Sequence, residues 1–171
     1  MNQEQLNEGL LKAAGRGNTK SVEDLVARGA NVNCKGSVGW SPLHLAAAWG
    51  RTETVSRLVE LGGDVNIKDN EAGRSPLHRA AERGHTETVS RLVELGGDVN
   101  GKDNKGKTPY DLTYNDNIRE LLKKCIEQQK QLEQAMKELR GLGMETVEEF
   151  QDIIKEGSYK CFWNRIYLVG P

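Results

Sequence analysis

The segment TETVSRLVELGGDVN at Thr52–Asn66 recurs unchanged at Thr86–Asn100, 34 positions further on. Such a copy comes from a recent duplication or from design, and it constrains the fold more than any other feature of the chain. A period of roughly 20–50 residues describes supersecondary units that cannot bury an apolar face alone and must stack on their neighbours. Other landmarks keep the step: Pro42, Pro76 and Pro109; Gly17, Gly50 and Gly84; Asn33, Asn66 and Asn100; Gly39, Gly73 and Gly106. The step alternates between 33 and 34 because the connector from Asn66 to Gly73 is one residue longer than those from Asn33 to Gly39 and from Asn100 to Gly106.

Each unit has a physical reading. Ser41-Pro42 and Ser75-Pro76 set a capping hydroxyl before a proline whose fixed φ suits the first helical position, so a helix is expected to start at each. Leu43–Ala48 and Leu77–Ala81 are rich in alanine, which lets neighbouring helices approach closely, and Gly50 and Gly84 end them. A second helix carries Val55, Leu58 and Val59 on one stripe, repeated as Val89, Leu92 and Val93, with Arg57, Glu60, Arg91 and Glu94 facing water. Gly62-Gly63 and Gly96-Gly97 close it, and the polar connectors DVNIKDNEAG and DVNGKDNKG suit exposed hairpins.

The strings SPLHLAAAWG and SPLHRAAERG, with the trailing G-G-D-V-N, resemble the ankyrin repeat, which opens on T-P-L-H-x-A-A. The resemblance runs from about Leu6 to Lys124, about 70% of the chain, in units at about 6–35, 36–68, 69–102 and 103–124. The first unit lacks the proline motif, as an N-terminal cap does. Thr108–Leu122 resembles a C-terminal cap whose middle is several residues short. The fold class expected is all-α: an ankyrin solenoid with exposed hairpin loops over residues 1–124, then a helical hairpin and a short apolar terminal segment.

The resemblance implies a non-catalytic module that holds a protein partner on the concave side, made by the hairpin tips and first helices. Its variable positions fall on Trp40, Ala48 and Trp49 in the second unit, on Asn70, Glu71, Arg74, Glu82 and Arg83 in the third, and on Asn104, Lys105 and Lys107 in the fourth. Trp40 and Trp49 are the expected anchors, since tryptophan is enriched among residues that dominate binding energy. The alternative for each is packing against an adjacent hairpin. Arg74 and Arg83 either add charged contacts or pair with Glu82 or Glu71. His44 and His78 occupy the histidine of T-P-L-H, where the resemblance implies hydrogen bonds that brace the turn, and His85 sits at another framework position.

Composition narrows the function classes. With 24 basic and 25 acidic residues and a formal charge of −1, no global field favours nucleic acid or an anionic membrane. Cys34, Cys125 and Cys161 are too few and too far apart for a disulfide framework or a zinc site. No apolar run approaches the roughly 20 residues of a membrane span, and MNQEQLNEGL has no signal-like core. A cytoplasmic protein is expected, with no cofactor. No nucleophile or metal-ligand spacing stands out.

Beyond the repeats, Ile118, Leu121, Leu122, Cys125, Leu132, Met136 and Leu139 follow three–four spacing across Asn117–Arg140, a long helix whose stripe Gln128 and Gln129 dilute. Gly141-Leu142-Gly143 breaks it, and Thr146 with Glu149 forms a capping-box pattern for another helix to about residue 157. This αα-hairpin either folds back on the stack, leaving a monomer, or pairs two chains into a homodimer through residues 117–140. Within residues 158–171, RIYLVGP resembles the first strand of a P-loop NTPase domain stopped before its phosphate-binding lysine. That resemblance implies the regulatory portion of a larger NTPase, and the other reading is a terminal strand or apolar anchor.

Overall fold

The computed structural model describes residues 1–141. Their helices are α1 (Gln3–Arg16), α2 (Thr19–Ala27), α3 (Pro42–Ala48), α4 (Thr52–Glu60), α5 (Pro76–Arg83), α6 (Thr86–Glu94), α7 (Pro109–Leu112) and α8 (Asp116–Gly141). No strand occurs among the described residues. Helices α1, α3, α5 and α7 pack in sequence as one row, and α2, α4, α6 and α8 as a second row behind it. Loops between the pairs fold back as hairpins closed by Gly36 N–H to Trp40 O, Asp69 N–H to Arg74 O and Asp103 N–H to Lys107 O, each at 2.9 Å.

The helix starts follow from local chemistry. Ser41, Ser75 and Thr108 cap α3, α5 and α7, each in a reciprocal box with the third residue on, which is His44, His78 or Asp111. Asn2 and Gln5 do the same for α1, so the first unit replaces the missing proline motif with an asparagine box. Helix α3 stops at Ala48 with Trp49 as its cap. Gly50 follows at φ 65°, where a Cβ would stand 2.7 Å from His85 Nδ1. His85 uses that space to donate from Nε2 to the Ala48 carbonyl at 2.9 Å.

Between the rows lies one continuous core of Leu10, Val22, Leu43, Val55, Leu58, Leu77, Val89, Leu92, Ile118 and Leu122. Each such side chain removed from water contributes about 1.5–3 kcal/mol. Ala46, Ala47, Ala80 and Ala81 are fully buried between first-row helices, where a longer side chain would hold the helices apart.

Two polar ladders run from unit to unit. His44 Nδ1 accepts from Ser41 N–H at 3.1 Å, and its Nε2 donates 2.7 Å to the carbonyl of Arg74 in the next hairpin. His78 repeats the arrangement with Ser75 and the Lys107 carbonyl. A carbonyl can only accept, so both rings are held as the Nε2–H tautomer. Asn33 and Asn66 bind the turn one unit on: Asn33 accepts from Asp64 N–H and donates to Gly62 O, and Asn66 accepts from Asp98 N–H and donates to Gly96 O. Asn100 donates instead to Gln129 Oε1 of α8 at 2.9 Å. Gln129, expected to dilute the helix stripe, is buried and takes the place of the next unit's turn.

Helix α8 thus acts as the second helix of the last unit and continues past Lys124, with Cys125 inside the core. The expected break at Gly141-Leu142-Gly143 begins at the last described residue. The helix expected near 146–157 and the apolar segment 158–171 lie outside the described residues. A chain ending at Lys124 loses Cys125 and Gln129 and should unfold at a lower urea concentration than the full chain. An equal midpoint would mean that α8 beyond residue 124 adds nothing to the stack.

Burial lowers the His44 pKa from 6.5 to about 4, against the raising effect of its bond to the Arg74 carbonyl. Because the folded-state value is the lower one, the unfolded chain takes up the proton first. The stability conferred by the neutral ring is whole above about pH 6.5 and is lost as pH falls towards 4, in all about 3 kcal/mol. Urea midpoints should fall between about pH 7 and 5, and fall less steeply in His44→Gln, which starts lower at neutral pH.

Candidate partner-binding surface

Two neighbourhoods on the first-row face differ in kind. One is a network of charge. Arg79 of α5 is only 6% exposed, and its guanidinium meets Asp69 Oδ2 at 2.7 Å from Nη2 and 3.0 Å from Nε. The same group reaches Glu71 at 3.1 Å and Glu82 at 3.4 Å, and lies 4.3 Å from the centroid of the Trp40 ring. Trp40 Nε1–H donates to Glu71 at 3.2 Å. Arg74 joins Glu82 at 2.9 Å and Asp103 at 3.2 Å, which carries the network into the fourth unit.

Asp69 and Asp103 each brace their own hairpin. Asp69 accepts from the N–H groups of Ala72 and Arg74, and Asp103 from those of Lys105 and Lys107. For both, burial alone would raise the pKa; those N–H bonds and the facing guanidinium outweigh it and hold the carboxyl below the usual range. Trp40, Glu71, Arg74 and Glu82 are therefore occupied within the protein. Trp40 packs against the next unit's hairpin, the second of the two expectations for it. Arg74 pairs with Glu82 as expected, but Glu71 pairs with Arg79.

Asn70 and Asn104 also work between hairpins. Asn70 Oδ1 accepts from Lys35 Nζ at 2.9 Å, and Asn104 N–H donates to the Ala72 carbonyl at 2.9 Å. Lys105 and Lys107 are exposed at the last hairpin. Ala48 departs from the expected solvent-facing position: it is 2% exposed, because α3 ends there with its methyl turned into the stack.

The second neighbourhood is a shallow groove of about 450 Å³ lined by Leu11, Lys12, Gly15 and Arg16 of α1, Leu45 and Trp49 of α3, and Arg51. Trp49 is 56% exposed. The indole runs beside Gly15, where a Cβ would lie in ordinary van der Waals contact, 3.7 Å from Trp49 Cδ1. On the other side, the Arg83 guanidinium stands 5.8 Å from the ring centroid. The fourth-residue spacings Leu11/Gly15 and Leu45/Trp49 put each pair on one helix face, a signal present in the sequence that points to the groove floor. Arg79 was the residue hardest to see, since SPLHR differs from SPLHL by a single exposed-looking substitution. Among the described residues no group of three His, Cys, Asp or Glu is placed to hold a metal ion.

Residues 10–103, and again 61–134, match the family described as ankyrin repeats (3 copies). The chain belongs to the ankyrin-repeat family. The second match extends ten residues past Lys124, into the part of α8 that carries Gln129. The repeat chain is 40% identical over 68 residues to the human oxysterol-binding protein-related protein 1, covering 34% of this chain and 7% of that protein. It is 40% identical over 59 residues to an ankyrin repeat-containing protein of Schizosaccharomyces pombe, covering 34% and 28%. It is 44% identical over 48 residues to the mouse protein phosphatase 1 regulatory subunit 12A, covering 28% and 5%. The chain thus spans a minor part of the length of each of these relatives. No helix among the described residues is long and apolar enough to cross a membrane.

Replacing Arg79 by leucine, the residue found at the matching Leu45, leaves Asp69 buried without its cation. Arg79→Leu should lower stability by about 3 kcal/mol, and adding Asp69→Asn should recover most of it, because the amide oxygen still braces the hairpin. Urea denaturation of the two variants checks both values.

Proposed function

We propose that this ankyrin protein is a non-catalytic module that holds a protein partner on its concave face, with Trp49 as the anchor. The observation that carries the reading is the exposed indole of Trp49 on an apolar floor of Leu11 and Leu45. A large rigid side chain left in water over such a floor gains most from a partner that covers it. Arg83 belongs to the same contact. Asn70, Asn104, Lys105 and Lys107 form the rim at the hairpin tips, while Trp40, Glu71, Arg74 and Glu82 hold the face in shape.

The relative named as a phosphatase regulatory subunit fits a role in holding or directing another protein. We place the protein in the cytoplasm, consistent with the buried thiol of Cys34 in the core. We favour a monomer, because Ile118, Leu122 and Cys125 of α8 are spent on the chain's own core. The string that resembles a P-loop strand lies outside the described residues.

Trp49→Ala should weaken a captured partner by about 2 kcal/mol, roughly 30-fold in Kd, with the urea midpoint nearly unchanged. Titration calorimetry against that partner measures the first and denaturation the second. Unchanged affinity, or a chain that no longer folds, removes Trp49 as the anchor.

A further inference from the structure

Arg119 and Arg140 of α8 aside, the arginines of the described residues divide into two groups. Arg28, Arg57, Arg74, Arg79 and Arg91 each pair with a carboxylate within 3.5 Å. The three around the Trp49 groove do not. Arg16 and Arg51 line it, Arg83 stands over the indole, and none of them forms an ion pair among the described residues. Arg51 donates from Nε to the Gly15 carbonyl at 3.1 Å, which fixes its stem and leaves its charge unneutralised. Lys12 adds a fourth cation on the rim, paired with Glu8 at 2.7 Å in water.

No carboxylate lines the groove. The nearest acid on α5, Glu82, is turned to Arg74 and Arg79. Arg16 and Arg83 sit in the last turns of α1 and α5, where a cation is favoured by the helix dipole. That effect accounts for part of their placement, but it operates through one helix end at a time. It leaves unexplained why three guanidiniums from three units converge on one apolar floor in a chain whose overall charge is −1.

We propose that the groove binds an acidic segment of a protein partner: one apolar side chain seated on Leu11, Leu45 and Trp49, with aspartate or glutamate on either side meeting Arg83 and the Arg16–Arg51 pair. The proposal rests on the reading of the concave face as a partner-binding surface and specifies the chemistry of what it takes. The lining favours a protein over a nucleic acid, because Trp49 is its single aromatic beside Leu11 and Leu45, with no second ring to stack successive bases, in a chain of net charge −1. Arginine suits the task because its planar group stacks on an indole and still presents two N–H donors to a carboxylate. Charge complementarity of this kind sets specificity and association rate, and it weakens with salt.

The test pans a randomised twelve-residue peptide library against the full chain and against Trp49→Ala. Peptides retained by the first and lost by the second are expected to carry Asp or Glu around one Leu, Phe, Trp or Met. For the best of these, Arg16→Glu with Arg83→Glu should weaken binding at least tenfold, and raising salt from 0.1 to 0.5 M should weaken it for the parent chain. The milder Arg16→Gln with Arg83→Gln, with its urea midpoint checked, keeps the result readable if the reversal fails to fold. Trp49-dependent peptides that are neutral or basic would overturn this proposal and leave the binding-module reading intact. The absence of any Trp49-dependent peptide would count against both. Tighter binding of a single-stranded RNA than of any acidic peptide would overturn it in favour of a polyanion site.

Discussion

No helix pair among the described residues can satisfy itself. The apolar stripe of each pair is covered only when the next pair stacks on it, and the same holds for its polar groups. His44 and His78 spend one ring nitrogen on their own cap and the other on a carbonyl about 30 residues away. Asn33 and Asn66 reach forward to the next turn in the same way. Removing one unit would therefore strand both an apolar face and a buried imidazole, and buried polar groups left unpaired are costly. This reciprocity couples four weak units into one cooperative stack.

The ends of the stack are where the dependence becomes visible. Helix α7 has no following hairpin among the described residues, and its box residue is Asp111, which needs only the Thr108 N–H and hydroxyl. The Thr108 backbone bond is the main reason its carboxyl stays below the usual range. Gln129 closes the asparagine ladder with a side chain in place of a turn. At the other end, Asn7 Oδ1 accepts from Asn31 N–H within the first unit. Each terminal substitution removes a demand that only a further repeat could meet.

The first-row face shows two uses of the same chemistry. Around Arg79 the charges are mutually satisfied and an indole is absorbed as packing for a guanidinium, so Trp40 serves the array. Around Trp49 the indole is exposed and the guanidiniums lack carboxylates. The difference comes from which residues follow each unit: hairpin residues of the third unit bring Glu71 and Asp69 to Trp40, whereas Trp49 borders the bare Gly15 and the cationic end of α5.

The period, the Ser-Pro caps and the alanine-rich first helices were legible in the sequence, because capping and helix periodicity are decided within a few neighbouring residues, whereas the histidine roles came only from the resemblance to the ankyrin repeat. Trp49 as an exposed aromatic and α8 as a long helix were legible too. Position in a repeat could not say that Ala48 is turned inward, that Gln129 is buried, or that Arg79 rather than Arg74 takes Glu71. Even the copied fifteen residues differ in place: Arg57 reaches Glu23 of α2 as well as Glu60, whereas its copy Arg91 has Glu94 alone. A side chain's local conformation is set by its own stretch of chain, but its partner is whatever the adjacent unit presents. Only the stacked structure decides that.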